Sequence, residues 1–438
     1  MNQLEGVPSP APARMGAIAF DRRVPGLTGI VVKGFLLSLI TFSIYRFWYI
    51  TNLRRYFWSR TIVAGSPAEY LGNGKELFLG FLVALAILVP VYIVLFVIGL
   101  LSPVLAALAA PISFIGLFIL GQYALYRGRR YRASRTRWRG IRLGQDGSGF
   151  AYAGRASLWW LGTLLSLGLA FPFMRAALER YRIDHTLVGQ SRMHSTATGR
   201  SILLPWMMFY IVGLLPILLS ILALLAGTGF DIPSDLLIQD PATEKSKLIF
   251  NPAYEDTPLV YYASAIGIAA SFSIPLALLL IPFYRARETR AFLNAAHLGG
   301  ARLASSLKAR QFYFPYLVYM LAVIGFIIVL GIIVALLVPL IAQDGDNPGI
   351  HAFIIVSTVL LYLGAILGTN VLYVRIITVR LWHAVATTMQ IENLPALEAV
   401  LASTRAPASG LNEGLADALD VGGALEHRTF NRTHIPWP

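Results

Sequence analysis

The stretch RFWYITNLRRYFWSRTIVAG, Arg46 to Gly65, decides how the rest of the chain is organised. It begins where an apolar run ends, mixes arginines with aromatic rings, and closes on a Thr-x-x-x-Gly sequence. The second copy, which ends at Gly140, repeats seven residues of this first stretch at one constant offset. The repeated residues are Arg129, Arg130, Tyr131, Ser134, Arg135, Thr136 and Gly140. Weaker copies start at Phe171 and Ile281 and lie around Arg375. The other parts of the chain connect these five segments.

The composition indicates a polytopic membrane protein. The 438 residues are 56% hydrophobic and 13% charged, with a mean hydropathy of +0.65. A soluble core of this length cannot hide that much apolar surface. The net charge of +14 lies mainly in arginine-rich blocks between apolar runs, the pattern that sets membrane orientation. The absence of cysteine excludes disulfides, thiolate metal sites and cysteine nucleophiles.

Six apolar runs are long enough for a membrane-spanning helix, which needs about 20 residues. They lie near 77–98, 104–125, 202–225, 259–282, 314–342 and 352–374. These runs form three helical hairpins, and the loops over 227–258 and 342–349 are acidic. The arginine-rich segments lie at the opposite ends of the hairpins. The positive-inside rule therefore predicts that all five segments, and both termini, are cytoplasmic.

Two shorter apolar stretches, 34–45 and 156–174, have basic residues at both ends. If the second stretch crossed the membrane, neighbouring basic segments would lie on opposite faces, against the charge rule. The first has too few residues to cross. Both stretches are therefore predicted to be re-entrant or interfacial segments that enter and return on the same side.

The predicted fold class is an all-α integral membrane protein. Three transmembrane helical hairpins and two short re-entrant or interfacial segments form a tandem internal repeat with basic and aromatic cytoplasmic segments. We predict a flexible segment over 1–26, a first membrane repeat over 27–145, a second repeat with an extra hairpin over 146–390, and a polar tail over 391–438.

The density of arginine and aromatic residues is the strongest chemical signal in the chain. Each basic side chain near an anionic leaflet contributes roughly 1 kcal/mol, and rings at headgroup level are typical of the membrane interface. The alternatives are a topology signal with simple anchoring and, less favoured, nucleic-acid binding. The candidate lipid- or anion-binding residues are Arg46, Arg54, Arg55, Arg127, Arg129, Arg130, Arg132, Arg135, Arg137, Arg175 and Arg180.

Enzymatic motifs are missing from the sequence. Asp184, His185, Ser191, His194 and Ser195 form one cluster that resembles a hydrolase or metal site, but they lack a second carboxylate at ligand spacing. We therefore expect no enzymatic activity, no metal and no cofactor. The Thr-x-x-x-Gly sequences at Thr61 and Thr136 favour a tight turn with a glycine at positive φ; an anion cradle of backbone amides is the alternative.

A carrier or channel for a small or amphiphilic solute is the alternative function. None of the six runs has a charged residue near its centre, which argues against proton coupling. Prolines such as Pro90, Pro111 and Pro275 interrupt the runs, and broken helices with an internal repeat are a feature of many carriers. The function we expect first is a non-enzymatic one, in which a collar of arginine and aromatic residues binds anionic headgroups and organises lipid or a partner.

The segment LLSLITFSIYRFWYITNLRRYFWSRTIVAGSPAEYLGNGKELFLGF, Leu36 to Phe81, resembles the YjgN-like family of bacterial inner-membrane proteins. The features that carry the resemblance are the short apolar stretch, the aromatic and basic exit, the Arg54-Arg55-Tyr56 core, and the later Gly74, Lys75 and Glu76. The later copies extend it to about Gln390. The resemblance implies an integral inner-membrane protein built on a domain of unknown function, with no known activity, cofactor or active site.

Overall fold

The computed structural model describes residues 16–231, 233, 235–239, 248–342, 348–398 and 400. The first fifteen residues of the predicted flexible start, most of the predicted polar tail, and parts of both acidic loops lie outside the described residues.

Ten short β-strands close into an antiparallel barrel. The strands are β1 (Gly16–Phe20), β2 (Thr61–Val63), β3 (Ser66–Tyr70), β4 (Thr136–Trp138), β5 (Ile141–Gln145), β6 (Thr186–Val188), β7 (Ser191–Ser195), β10 (Ala296–Leu298), β11 (Ala301–Ser305) and β12 (Met389–Glu392). Two further strands, β8 (Leu237–Gln239) and β9 (Leu248–Phe250), pair separately. The predicted all-α class is wrong on this point, because the structure contains a closed β-barrel as well as helices. Strands of three to five residues are too short for alternation to reveal them.

The Thr-x-x-x-Gly sequences are the turns of β-hairpins. Gly65 has a φ of 81° and Gly140 a φ of 74°, and Gly189 and Gly299 hold the same left-handed region in later hairpins. The prediction of tight turns that need glycine is therefore confirmed. Four such hairpins contribute eight strands of the barrel. The remaining two strands, β1 and β12, come from the two ends of the fold and pair with each other, which closes the ring.

The interior of the barrel is filled with apolar side chains. Residues paired directly across two strands point to the same side of the sheet. The inward-facing pairs are Ile18–Val63, Ala68–Trp138, Leu143–Val188, Met193–Leu298 and Leu303–Ile391. All of these residues belong to one hydrophobic core. The barrel is therefore a packed core and not a pore.

Helices connect the strands as pairs that all lie at one end of the barrel, since the hairpin turns occupy the other end. The elements are α1 (Leu27–Ile40), α2 (Arg46–Ser59), α3 (Gly74–Leu101), α4 (Pro103–Ser134), α5 (Gly149–Leu165), α6 (Phe171–Asp184), α7 (Leu203–Phe209), α8 (Leu215–Gly227), α9 (Pro258–Asn294), α10 (Arg310–Ala342), α11 (Pro348–Leu372) and α12 (Val379–Thr388), with α13 (Leu394–Glu398) after β12. A π-helical turn joins α7 to α8 and another joins α11 to α12.

Six helical segments in the described part of the chain are long and apolar enough to cross a membrane. They are Gly74–Leu101, Ala107–Ser134, Gly199–Gly227, Pro258–Asn294, Arg310–Ala335 and Val356–Thr388. Each overlaps one of the six predicted runs. The prediction of a multi-pass membrane protein is thereby confirmed.

The remaining two pairs, α1–α2 and α5–α6, are short. Their helices have 14 to 17 residues, and neither pair is among the candidate spans. Around the barrel axis, the order of the pairs is short, long, short, long, long. Neighbouring pairs pack through α2 on α3, α4 on α5, α9 on α10, and α1 on α11. The five basic segments therefore lie side by side just above the barrel.

Candidate functional site

The eleven arginines predicted to bind lipid or anions lie on α2, α4, α6 and the start of the β4 hairpin, and their environments differ. Arg55 and Arg180 are exposed, whereas Arg54 and Arg175 are buried. The half-buried ones are Arg46, Arg127, Arg129, Arg130, Arg132, Arg135 and Arg137. The predicted set is therefore not one continuous surface.

One of the two buried arginines, Arg175, connects neighbouring helix pairs, whereas Arg54 donates to the Tyr70 hydroxyl at 3.2 Å. The Arg175 Nε atom lies 2.6 Å from Glu288 Oε1, so α6 is joined to α9. Arg285 holds the other oxygen of Glu288 at 3.0 Å. Burial lowers the pKa of Arg175, but the Glu288 carboxylate outweighs burial and raises it above the usual value for arginine. This cluster has a structural role.

Two other predicted arginines also make internal ion pairs. Arg135 donates from Nε and NH2 to the two carboxylate oxygens of Glu76, each at 3.1 Å. Arg129 lies 3.8 Å from Glu179 and so connects α4 to α6. These contacts show that much of the arginine density stabilises the packing of the basic helices against one another.

The two exposed arginines make equivalent hydrogen bonds in their own segments. Arg55 donates to the Gly72 carbonyl at 2.7 Å, and Arg180 donates to the Ala197 carbonyl at 3.2 Å. Each acceptor lies 17 residues further along the chain, at the start of the next helix pair. The remaining donors of these guanidinium groups face the surface.

A cavity of about 650 Å³ lies on the surface formed by α1, α2 and β3. Its lining on the second helix includes Tyr45, Tyr49, Asn52 and Tyr56, which are spaced by four, three and four residues. That spacing places them on one face of α2. Phe47 and Arg54, two other buried residues of α2, lie on the opposite face. We call this outward-facing cavity the α1–α2 groove.

Cations dominate the polar lining of the α1–α2 groove. Lys33, Arg55 and Arg60 line it, against the single carboxylate of Glu69. The Arg60 guanidinium lies 3.9 Å from the centre of the Tyr56 ring, a cation–π contact. Tyr56 in turn donates to the Pro25 carbonyl at 2.8 Å. The groove is therefore suited to an anion.

The upper part of the α1–α2 groove is aromatic. Gly34 leaves room for the Tyr49 ring, since a Cβ at that position would lie 2.0 Å from Tyr49 Cδ2. Burial raises the pKa of Tyr49 to about 12, so the hydroxyl stays neutral. Neutral tyrosines above and cations below suit a ligand with an apolar part and an anionic end.

Sequence reasoning missed several residues of this groove. Arg55 was in the predicted set, but Lys33, Arg60, Tyr49 and Asn52 were not. The signal was present as the helical spacing of Tyr45, Tyr49, Asn52 and Tyr56. It was obscured because the opposite face of α2 is equally rich in aromatic and basic residues.

The cluster around Asp184 and His185 is part of the fold. Asp184 Oδ1 accepts a hydrogen bond from the Ser195 amide at 2.8 Å, and the His185 ring lies against Tyr181. Within the described residues, no group of three or more His, Asp or Glu side chains is placed to hold a metal ion. Asp184 and His185 stabilise the junction between α6 and the β6–β7 hairpin.

A family model for bacterial proteins of unknown function, DUF898, matches residues 16–418. The match covers the barrel, the helix pairs and part of the tail, and it confirms the predicted resemblance to an uncharacterised YjgN-like family. No curated protein and no solved structure matches the chain.

Proposed function

The chain belongs to this bacterial family of unknown function, and from its own residues we propose that it is an inner-membrane protein that binds anionic lipid headgroups at the cytoplasmic face. The basic and aromatic segments around the barrel form the binding collar, and the α1–α2 groove is its best-formed site. No enzymatic activity is part of the proposal. The bound lipid would be organised around the protein or presented to a partner.

The level of the membrane surface follows from the arginines on the spanning helices. Arg127, Arg285 and Arg380 lie seven, nine and eight residues before the ends of their helices at the barrel. At 1.5 Å per residue, these three arginines lie about 11 to 14 Å above the barrel, and Arg375, farther out on the last span, donates back to the Thr28 hydroxyl near the start of α1. By the positive-inside rule, the barrel and the described ends of the chain are on the cytoplasmic side.

The α1–α2 groove lies at this level, which is the observation that carries the proposal. Asn52 is seven residues before the end of α2, about 10 Å above the barrel. Arg55, Arg60 and Glu69 lie below it, and Tyr45 and Tyr49 lie above it. A lipid phosphate at the cations would therefore leave its acyl chains beside the tyrosines.

The charges in the groove set the expected size of the effect. Three cations at roughly 1 kcal/mol each, offset by one carboxylate, give about 2 kcal/mol of preference for an anionic headgroup. This corresponds to about a 30-fold preference over a zwitterionic lipid.

The test is the lipid that stays bound to the purified protein in native mass spectrometry. Lys33→Gln/Arg55→Gln/Arg60→Gln should lose most of the preference for phosphatidylglycerol over phosphatidylcholine. The matched control is Arg200→Gln/Arg302→Gln/Lys308→Gln, which removes the same charge from exposed positions outside the groove and should keep the preference. Lys33→Gln/Arg60→Gln spares the Arg55 contact with Gly72 and guards against a folding defect. Unchanged retention in the groove variants would overturn the proposal.

The alternative is a carrier or channel for a small or amphiphilic solute. Pro90 and Pro275 lie inside α3 and α9, which continue through them; at such positions many carriers break their helices to build a central site. Uptake of a solute into vesicles by variants with normal lipid retention would favour this alternative.

The tandem repeat is part of the same proposal. Asp184 accepts from the Ser195 amide, and 110 residues later Asn294 accepts from the Ser305 amide at 2.6 Å. These recurring contacts relate the third and fourth basic segments, which both lie in the proposed second membrane unit over 146–390; the proposed first unit spans 27–145. The five basic segments would then be related by descent as well as by position.

A further inference from the structure

The turns of the two short helix pairs expose large apolar side chains. In the α1–α2 turn, Phe42 is 93% exposed and Ile40 before it 71% exposed; in the α5–α6 turn, Leu165 is 76% exposed and Leu167 59% exposed. Water is an unfavourable environment for such side chains, because transfer of a Leu or Phe side chain out of water is favourable. These turns are therefore suited to an apolar phase outside the protein.

Backbone strain is present at the same positions. Phe42 has a φ of 48° and Leu167 a φ of 51°, both in the left-handed region. That conformation is unfavourable for a residue with a Cβ, which comes too close to the following carbonyl oxygen. Glycine or asparagine would avoid the cost. Bulky apolar residues that are both strained and exposed, at matching places in two turns, indicate a binding role.

The two turns are built by the same hydrogen bonds, 125 residues apart. At the end of each helix, the amide of the strained residue donates a hydrogen bond to the carbonyl three residues earlier. The amide of the next residue donates to the carbonyl five residues earlier. The contacts are Phe42 to Leu39 at 3.2 Å, Leu167 to Leu164 at 2.9 Å, Ser43 to Ser38 at 2.6 Å and Gly168 to Thr163 at 2.7 Å. Both apolar tips are therefore held in one defined shape.

The depth of these tips follows from the helix lengths. α2 has 14 residues, about 20 Å at 1.5 Å per residue, and Phe42 lies in the turn beyond its outer end. The three arginines of the spanning helices lie about 11 to 14 Å above the barrel and Arg46 about 20 Å above it, so the tip lies beyond all of them, by roughly 5 to 10 Å. Half of a hydrocarbon core is about 15 Å. The short pairs therefore end inside the cytoplasmic leaflet, whereas α3, with 28 residues, crosses both leaflets.

The protein consequently displaces more lipid from one leaflet than from the other. In the described part of the chain, ten helical passes enter the cytoplasmic leaflet and six continue through the far leaflet. With a helix diameter of about 10 Å, each extra pass occupies roughly 80 Å². The four extra passes add about 300 Å² to the cytoplasmic leaflet alone.

We propose that the two short helix pairs act as a wedge in the cytoplasmic leaflet, so that the protein binds preferentially to membrane whose cytoplasmic face is convex. The binding partner is the acyl region of a curved bilayer, reached by the tips at Phe42 and Leu167. This function depends on helix length and apolar tips. It does not depend on the cations of the α1–α2 groove.

The test measures sorting of the full-length protein between flat and tubular membrane. Gln190→Cys places the only cysteine on the exposed β6–β7 turn of the barrel, where a fluorophore can be attached. The protein is reconstituted into giant phosphatidylcholine vesicles from which thin tubes are pulled outward, and a membrane-impermeant quencher identifies molecules with the barrel outside. These molecules should be enriched at least two-fold on the tube, while those with the barrel inside should be depleted. Equal density of the protein on tube and vesicle would overturn the proposal. Enrichment of both orientations on the tube, or depletion of both, would also overturn it.

A tip variant separates the wedge from the rest of the molecule. Phe42→Asn/Leu167→Asn removes both apolar tips and also relieves the backbone strain, so the fold should be at least as stable. It should lose at least half of the enrichment.

Phe230→Asn is the matched control. Phe230 is 71% exposed with a φ of 67°, but it follows α8 at the far end of a spanning helix. It should leave sorting unchanged. Full enrichment of the tip variant would refute the wedge. Since the vesicles contain no anionic lipid, sorting there also separates the wedge from headgroup binding.

Discussion

Replacing Glu288 by Gln removes the carboxylate that holds α6 and α9 together. Glu288 is 3% exposed and accepts from Arg175 at 2.6 Å and from Arg285 at 3.0 Å. The neutral amide keeps the size of the side chain and one acceptor oxygen. The substitution therefore changes the charge with little change in packing.

The expected loss is about 3 to 4 kcal/mol in the free energy of unfolding. Removing one partner of a buried ion pair costs about 3 to 5 kcal/mol, because the other charge is left without compensation. Here that charge is the buried guanidinium of Arg175. The lower part of the range applies because the Gln oxygen still accepts one hydrogen bond, whose loss would cost a further 1.5 to 3 kcal/mol or so.

Equilibrium unfolding of the detergent-solubilised protein by sodium dodecyl sulfate, followed by tryptophan fluorescence, measures this loss. Arg192→Gln is the matched control, because its pair with Asp146 is exposed and should contribute less than about 1 kcal/mol. Arg175→Gln/Glu288→Gln should be less destabilised than the sum of the two single variants. If Glu288→Gln lost no more than Arg192→Gln, the argument that this ion pair joins the helix pairs would be refuted.

Two further predictions concern glycines. Gly34→Leu should lower the stability by about 1 to 3 kcal/mol, since its side chain would collide with the Tyr49 ring. Gly29→Leu in the same helix, where a Cβ meets nothing within 4 Å, should leave the thermal midpoint unchanged; equal shifts would contradict the packing described. Gly140→Ala should cost about 1 to 2 kcal/mol, because the φ of 74° is unfavourable for a residue with a Cβ. Gly140→Asn should cost less, and a reversed order in thermal melts would show that the turn adopts another conformation.

The membrane-spanning helices could be predicted because their signal is local. Hydropathy along 20 residues is sufficient to recognise a helix such as α3 or α9, since the bilayer requires apolar side chains over that length. The hairpin turns at Gly65 and Gly140 were recognisable for a similar reason: a positive φ favours glycine whatever surrounds it. The first short pair was visible as a stretch with too few apolar residues to cross, and the second as an apolar stretch with basic residues at both ends.

The barrel could not be predicted, because its strands depend on partners that are distant in the chain. Ala68 pairs with Trp138, and Gly16 pairs with Ile391. A strand of three residues such as β4 has no stability of its own, so nothing within it identifies it. The closed ring becomes evident only when all the segments are assembled.

The candidate site shows the same division. Arg175 and Arg180 lie five residues apart on one helix and looked equivalent in the sequence. In the structure Arg175 is buried against Glu288, whereas Arg180 is exposed, because five residues turn an α-helix by roughly 140° and place the two side chains on different faces of α6. The local sequence specified which segments are basic, aromatic or apolar, and therefore which are long and apolar enough to cross a membrane. Which arginines are buried in ion pairs and which are exposed became evident in the tertiary structure, since burial and charge compensation depend on neighbouring helices that the local sequence does not specify.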